Sequence, residues 1–189
     1  MTWKILLGAT ALAMGIATEV LAQRKASATP APQLTPADGF TIHVTAPHML
    51  SGHAMGPVHH YCKVIAPDPI IQCLLTDTAD PNAPLTGIEY IIAKKVTRSL
   101  VTLGTWNANF HDHKEEIATG RVQVLDMPAD EAKKVADLVA TTDGIIFHLW
   151  PMGDRIPTGT VEIGQSVGHR LLSREEYARS SGAVAGRTE

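Results

Sequence analysis

Four side chains able to bind a metal or move a proton fall within six residues of this chain: His111, Asp112, His113 and Glu116. Further candidates lie far away in sequence, at His59, His60, Cys62, Glu89 and His148. Neutral imidazole with carboxylate is the usual ligand mix for a divalent transition metal such as zinc, iron, manganese or copper. Histidine serves equally as a general base near neutral pH. The spacing alone is not diagnostic, because His-x-His recurs by chance in a chain with nine histidines. The competing reading leaves His59, His60, His111 and His113 exposed or hydrogen-bonded to backbone. The set does chemistry only if the fold gathers it, and it names no reaction.

The elements that would have to gather it can be read in outline. Side chains two apart on a strand share a face. In a strand predicted over 57–65, His60 and Cys62 share one face, with His59 and Tyr61 on the other. His111 and His113 share a face if their segment is extended, and Glu116 joins them only if the chain then bends or coils. His148 and Trp150 share a face of a strand predicted over 145–150. Glu89 is flanked by apolar residues in Gly87-Ile88-Glu89-Tyr90-Ile91, where a carboxylate is costly to bury unless paired or coordinated. Its ordinary alternative is an edge-strand or salt-bridged residue.

Between these, residues 40–44 alternate as a short strand, and 45–56, with Pro47 and Gly52, read as loop. Ala66-Pro67-Asp68-Pro69 is a turn leading to a strand over 70–75, which makes a hairpin. A strand over 85–92 runs into a short helix ending near Leu100, and 116–125 reads as another strand. Pro128 opens a helix to about Thr141, with Val135, Leu138 and Val139 at helical spacing and Asp130 and Glu131 in its first turn. Residues 158–163 supply a last strand. This order predicts α+β: a single domain, mainly antiparallel sheet, with two or so helices.

Pairing about the centre of the 66–69 turn sets Cys62 opposite Cys73. Three readings follow. A cross-strand disulfide would suit an oxidising compartment and add roughly 2–3 kcal/mol. Two buried free thiols are the second, and Cys62 as a metal ligand is the third.

Residues 1–22 of the 189 read as a secretory signal peptide: Lys4, then an uncharged apolar run, then Val20-Leu21-Ala22 before Gln23. That run is shorter than the ~20 residues of a membrane span. The expected product is a periplasmic or secreted chain. Its parts are a flexible, Ala/Pro/Thr/Ser-rich spacer at 23–38, a globular domain at 39–172 and a frayed tail at 173–189. Cleavage would remove Lys4 and Glu19, so the net charge of −3 would not change. No basic patch points to nucleic acid, and no transmembrane segment is expected in the mature chain. There is no P-loop, His-Glu-x-x-His or Cys-x-x-Cys. Gly164-Gln165-Ser166-Val167-Gly168 spells a nucleophile-elbow pattern, but only His169 and no aspartate follows it, so it reads as a glycine-rich turn.

Several segments taken together resemble the oil body-associated protein family. They are His60-Tyr61-Cys62, Gln72-Cys73-Leu74-Leu75, the run Asp80 to Ile92 containing Gly87-Ile88-Glu89-Tyr90, His111-Asp112-His113-Lys114-Glu115-Glu116 with Gly120, His148-Leu149-Trp150 and Ile156-Pro157-Thr158-Gly159. The resemblance spans residues 57–165 and singles out His60, Cys62, Glu89, Tyr90, His111, His113, Glu116, His148 and Trp150. It brings no reaction or cofactor. Plant members are associated with seed lipid droplets, a setting that a signal peptide does not fit. The export signal in turn favours the disulfide. The resemblance implies that the polar residues belong together. The expected function is an exported module binding a divalent transition metal or small ligand through His60, Glu89, His111, His113, Glu116 and His148. A non-catalytic structural or lipid-surface protein is the alternative, and a metal-dependent enzyme of unknown reaction a further one.

Overall fold

The computed structural model describes residues 38–181. The expected signal peptide at 1–22, the spacer up to residue 37 and the tail beyond 181 lie outside them. The described strands are β1 (Ile42–Leu50), β2 (His53–Ala66), β3 (Ile70–Thr76), β4 (Gly87–Ala93), β5 (His111–Asp112), β6 (Gln123–Leu125), β7 (Thr142–His148) and β8 (Glu162–Ser166). The described helices are α1 (Lys94–Leu100), α2 (Leu103–Asn109), α3 (His113–Ala118), α4 (Ala129–Val139) and α5 (Arg174–Ser181).

All strand pairs are antiparallel, as expected, but the sheet closes on itself. β1, β2, β3, β4, β7 and β8 follow one another around a ring, and β8 returns to β1 through His48↔Ser166 and Met49↔Gln165. The result is a six-stranded barrel. β6 pairs with the first half of β1, and the two-residue β5 pairs with β7. Burial alternates along the strands, as period-2 geometry requires: Gly87, Glu89, Ile91 and Ala93 of β4 are all buried, and the residues between them are less so. One core cluster is built from Val58, Cys62, Ile71, Cys73, Leu75, Ile91 and Ile146.

Cys62 and Cys73 are register partners and form a disulfide, with Cα atoms 4.0 Å apart. This excludes the free-thiol reading and the reading of Cys62 as a ligand.

Four expectations need correction. Residues 45–56 are not loop: β1 continues to Leu50 and turns at Ser51 and Gly52, both with positive φ, into β2. Two consecutive positive-φ residues match the twist of a tight hairpin. Pro47 sits at a register shift between Ala46 and His48, the kind of position where a strand tolerates proline. Residues 116–125 are not one strand, because Asp112 accepts the Lys114 N–H and starts α3, leaving only β6 extended. There are also more helices than expected. α2 begins where Thr102 accepts the Thr105 N–H and buries Trp106.

Residues 174–181 of the stretch read as a frayed tail form α5. Tyr177 packs with Trp106, Phe110 and Leu172, and its hydroxyl donates to Val101 O at 2.6 Å. Fully burying a side chain of this size contributes about 1.5–3 kcal/mol to docking the helix. The Gly-x-Ser-x-Gly run is the end of β8 and the turn after it, with Ser166 buried in register with His48.

Candidate functional site

The barrel interior is polar at one level. His48 from β1, His60 from β2 and Glu89 from β4 point inward, and His111 from β5 with His113 and Glu116 from α3 complete the group. All six are buried, none more than 3 % exposed. Chain geometry explains how His111 and Glu116 reach the same place. The segment is extended through His111-Asp112 and coils from His113, so Glu116 returns to the cluster three residues into a helix.

Glu89 is the hub. Its Oε1 lies 3.2 Å from His111 Nε2 and 3.2 Å from His113 Nε2, and those two nitrogens are 3.3 Å apart. Its Oε2 lies 3.1 Å from His60 Nε2, which is 2.9 Å from His48 Nε2. Glu116 Oε2 stands 3.7 Å from His111 Nε2. Two triads of potential ligand atoms therefore share one carboxylate: Glu89 with His111 and His113, and Glu89 with His48 and His60. The backbone has to yield room for this. A Cβ at Gly144, opposite His111 in the β5–β7 ladder, would collide with Glu89 Oε1 and His111 Nε2.

Hydrogen bonds behind the rings fix the tautomers. His60 Nδ1 faces Val58 O at 3.0 Å, and a carbonyl can only accept, so Nδ1 carries the proton. Thr142 donates its hydroxyl to Val139 O, so it accepts from His113 Nδ1 at 3.0 Å. With Nδ1 protonated, the neutral ring of His60 or His113 turns an Nε2 lone pair toward an oxygen of Glu89, whereas a ring protonated at both nitrogens donates to it. His48 Nδ1 meets His148 Nε2 at 3.3 Å.

Electrostatics follow from this crowding. Burial would push the Glu89 carboxyl up, but hydrogen bonds donated by His111, His113 and His60 when their Nε2 atoms carry protons outweigh it and hold Glu89 well below the usual carboxylate range. Burial would lower His111, yet Glu89 and Glu116 raise it. Burial, with His60 alongside, holds His48 well below the usual histidine range. His148 is also lowered by burial, which the more distant Asp77 and Glu162 only partly offset.

A cavity opens over the cluster. Its other walls are aliphatic, including Val44 of β1, Ile91 of β4 and Val135, Leu138 and Val139 of α4. Its volume of about 40 Å³ holds a few waters or a small ligand group.

Every metal candidate read from the sequence is therefore buried within or beside this one cluster. His60, Glu89, His111, His113 and Glu116 meet directly, and His148 stands one layer behind, against His48. His59 faces the other way, with its Nδ1 2.9 Å from His43 Nε2. Sequence reasoning missed His48, which Pro47 and Gly52 had placed in a loop. The signal that could have found it is period-2 spacing: Val44, Ala46 and His48 share a face.

Comparison with known proteins gives a consistent picture. The chain is 32 % identical over 111 residues to oil body-associated protein 1B of Arabidopsis thaliana, covering 58 % of this chain and 45 % of the relative. It is 29 % identical over 123 residues to oil body-associated protein 1A of Zea mays, covering 64 % and 48 %. Oil body-associated protein 2C of Arabidopsis thaliana is 29 % identical over 126 residues, covering 64 % and 52 %. The chain thus spans about half the length of the curated relatives it matches. No solved structure matches it. The family described as protein of unknown function DUF1264 matches over residues 34–182, which takes in the whole barrel and every residue of the cluster, and the chain belongs to that family.

Proposed function

We propose that this protein is a metal-binding barrel that holds a divalent transition ion at Glu89, His111 and His113. One observation carries the reading. His113 Nε2, whose ring proton is committed to Thr142, directs a lone pair at Glu89 Oε1 from 3.2 Å, with His111 Nε2 at the same distance. The His113 lone pair and Glu89 Oε1 repel each other unless a proton or a cation sits between them. Protonating both rings would supply it, at the cost of two imidazolium charges packed side by side in a buried site. One metal ion satisfies all three atoms. The spacing supports this, because tetrahedral ligands ~2.0–2.1 Å from a metal lie about 3.3 Å from one another. Thr142 behind His113 supplies the outer hydrogen bond that orients a ligating imidazole. Glu116 is placed to serve as a fourth ligand after a small movement, or the position stays open to the cavity.

The test is elemental analysis of protein purified without a His-tag, followed by thermal melts of chelator-treated protein with zinc, iron or manganese. Bound metal and a raised Tm are expected, since ligand at 100 times its Kd adds about 2.7 kcal/mol. Glu89→Gln abolishes both effects. Metal-free protein whose Tm no ion moves overturns the reading.

Export follows as part of the proposal. The leader-like residues 1–22 and the buried Cys62–Cys73 disulfide support a periplasmic or secreted setting. A second reading, attachment to a lipid surface, rests on the names of the relatives and on exposed apolar side chains such as Leu100, 78 % exposed, and Ile156, 67 % exposed. Flotation with phospholipid vesicles tests it. Protein that stays wholly in the soluble fraction removes this reading.

A further inference from the structure

We propose that the cluster binds two divalent transition ions, bridged by Glu89, with the second ion held by His48, His60 and Glu89 Oε2. This rests on the metal reading above and extends it to residues that the first site does not use. Three observations carry it.

The first is geometric. Glu89 directs its two oxygens at different imidazoles: Oε1 at His111 and His113, Oε2 at His60. On the second side, His48 Nε2 and His60 Nε2 are 2.9 Å apart and His60 Nε2 is 3.1 Å from Oε2. Ligands at right angles around an ion, each ~2.1 Å from it, are about 3.0 Å apart. A carboxylate that gives one oxygen to each of two ions is a natural bridge, and paired ions in proteins sit about 3.5–4 Å apart.

The second observation is the state of the rings. His60 donates Nδ1–H to Val58 O, so in its neutral form its Nε2 offers a lone pair to the space it shares with His48 Nε2 at 2.9 Å and Glu89 Oε2 at 3.1 Å. His48 contacts His148 through Nδ1, leaving its Nε2 for the cluster. The outer nitrogen of each ring is therefore occupied and the inner one is turned inward, as in ligating histidines oriented from behind. One ion between Glu89, His111 and His113 leaves His48, His60 and Glu89 Oε2 as a second, unused donor set.

The third is charge and access. Glu89 and Glu116 are both buried here beside the two donor sets. Both triads also face the same cavity. Two ions would present their open positions to one shared space with room for a few waters.

The experiment uses the full chain, purified without a His-tag, stripped with chelator and titrated with cobalt(II) or manganese(II). Native mass spectrometry and elemental analysis count the ions, and electron paramagnetic resonance reports their coupling. Two equivalents are expected in the wild-type protein, with a spin-coupled signal at full loading. His48→Gln lowers the count to one and restores the signal of an isolated ion. His60→Gln provides the same test if His48→Gln does not fold. A single equivalent in the wild-type protein, whatever the variants do, overturns the second site and leaves the first standing. Two equivalents unaffected by either variant also overturn it. No metal in any form overturns both readings.

Discussion

Two buried polar groups meet along the short β5–β7 ladder, and they are neutralised in different ways. On one face, Asp112 and Asp143 meet Arg98 and Lys94. Arg98 donates to Asp143 through Nε at 3.0 Å and Nη2 at 2.6 Å, and to Asp112 at 2.9 Å. Lys94 reaches Asp112 at 2.6 Å and also donates to Ala140 O. Two carboxylates answer two cations, and every contact runs from donor to acceptor. On the other face, His111 and His113 meet Glu89 and Glu116, and because His113 Nδ1 is taken by Thr142 its neutral ring sets a lone pair against Glu89 Oε1. The first group is complete as it stands and reads as structural. The second, on the metal reading proposed above, takes its positive charge from a bound ion. Burial of polar residues therefore does not by itself mark a site. A site is marked where the protein's own donors cannot satisfy the acceptors that it buries.

The largest expected effect tests the complete side of this contrast. Arg98→Met leaves Asp143 buried without its cation and should cost about 3–5 kcal/mol in chemical denaturation. Glu89→Gln, which keeps the shape of the hub, should cost the metal-free protein clearly less. Equal losses from the two variants would mean that both groups are structural.

Gly144→Ala is expected next. The new methyl group collides with Glu89 and His111, and overpacking of this kind costs about 1–3 kcal/mol. Metal uptake should fall in proportion far more than stability does. Uptake at the wild-type level would show that the hub can shift without harm.

The smallest effect is a pH dependence on the complete side. Burial would push the Asp112 carboxyl up, but hydrogen bonds from Lys94, the Lys114 backbone N–H and Arg98 hold it below the ordinary value. A carboxyl lowered in the folded state contributes stability above its unfolded pKa of about 3.9, and loses it as the pH falls through the lower folded value. The Tm difference between wild-type protein and Asp112→Asn should be full at neutral pH and shrink in acid. A difference that does not change with pH would sink this account.

How much of this was legible in the sequence depended on the range of the signal. Cys62 against Cys73 could be read because a turn at 66–69 fixes the register locally. His60 with Cys62, and Glu89 among apolar neighbours, could be read because period 2 is a local pattern. The family resemblance supplied the grouping of His111, His113 and Glu116 with distant strands. Closure of the sheet was not legible, since the β1–β8 pairing joins residues more than a hundred positions apart through two register pairs. His48 was hidden by Pro47, whose strand-breaking tendency is absorbed by a register shift. Tyr177 was hidden in a polar helix that only tertiary packing holds in place.

Ring order also bears on how the chain assembles. β1 to β4 form a meander in which each strand pairs with the next, and it supplies His48, His60 and Glu89. His111 and His113 arrive on a later stretch, and the ring shuts only when β8 reaches back to β1. Bringing neighbouring strands together costs less loop-closure entropy than pairing the two ends of the domain. The His48–His60 half of the cluster is thus built from the cheapest contacts in the fold, and the His111–His113 half needs the longer-range pairing of β7 with β4 and β5.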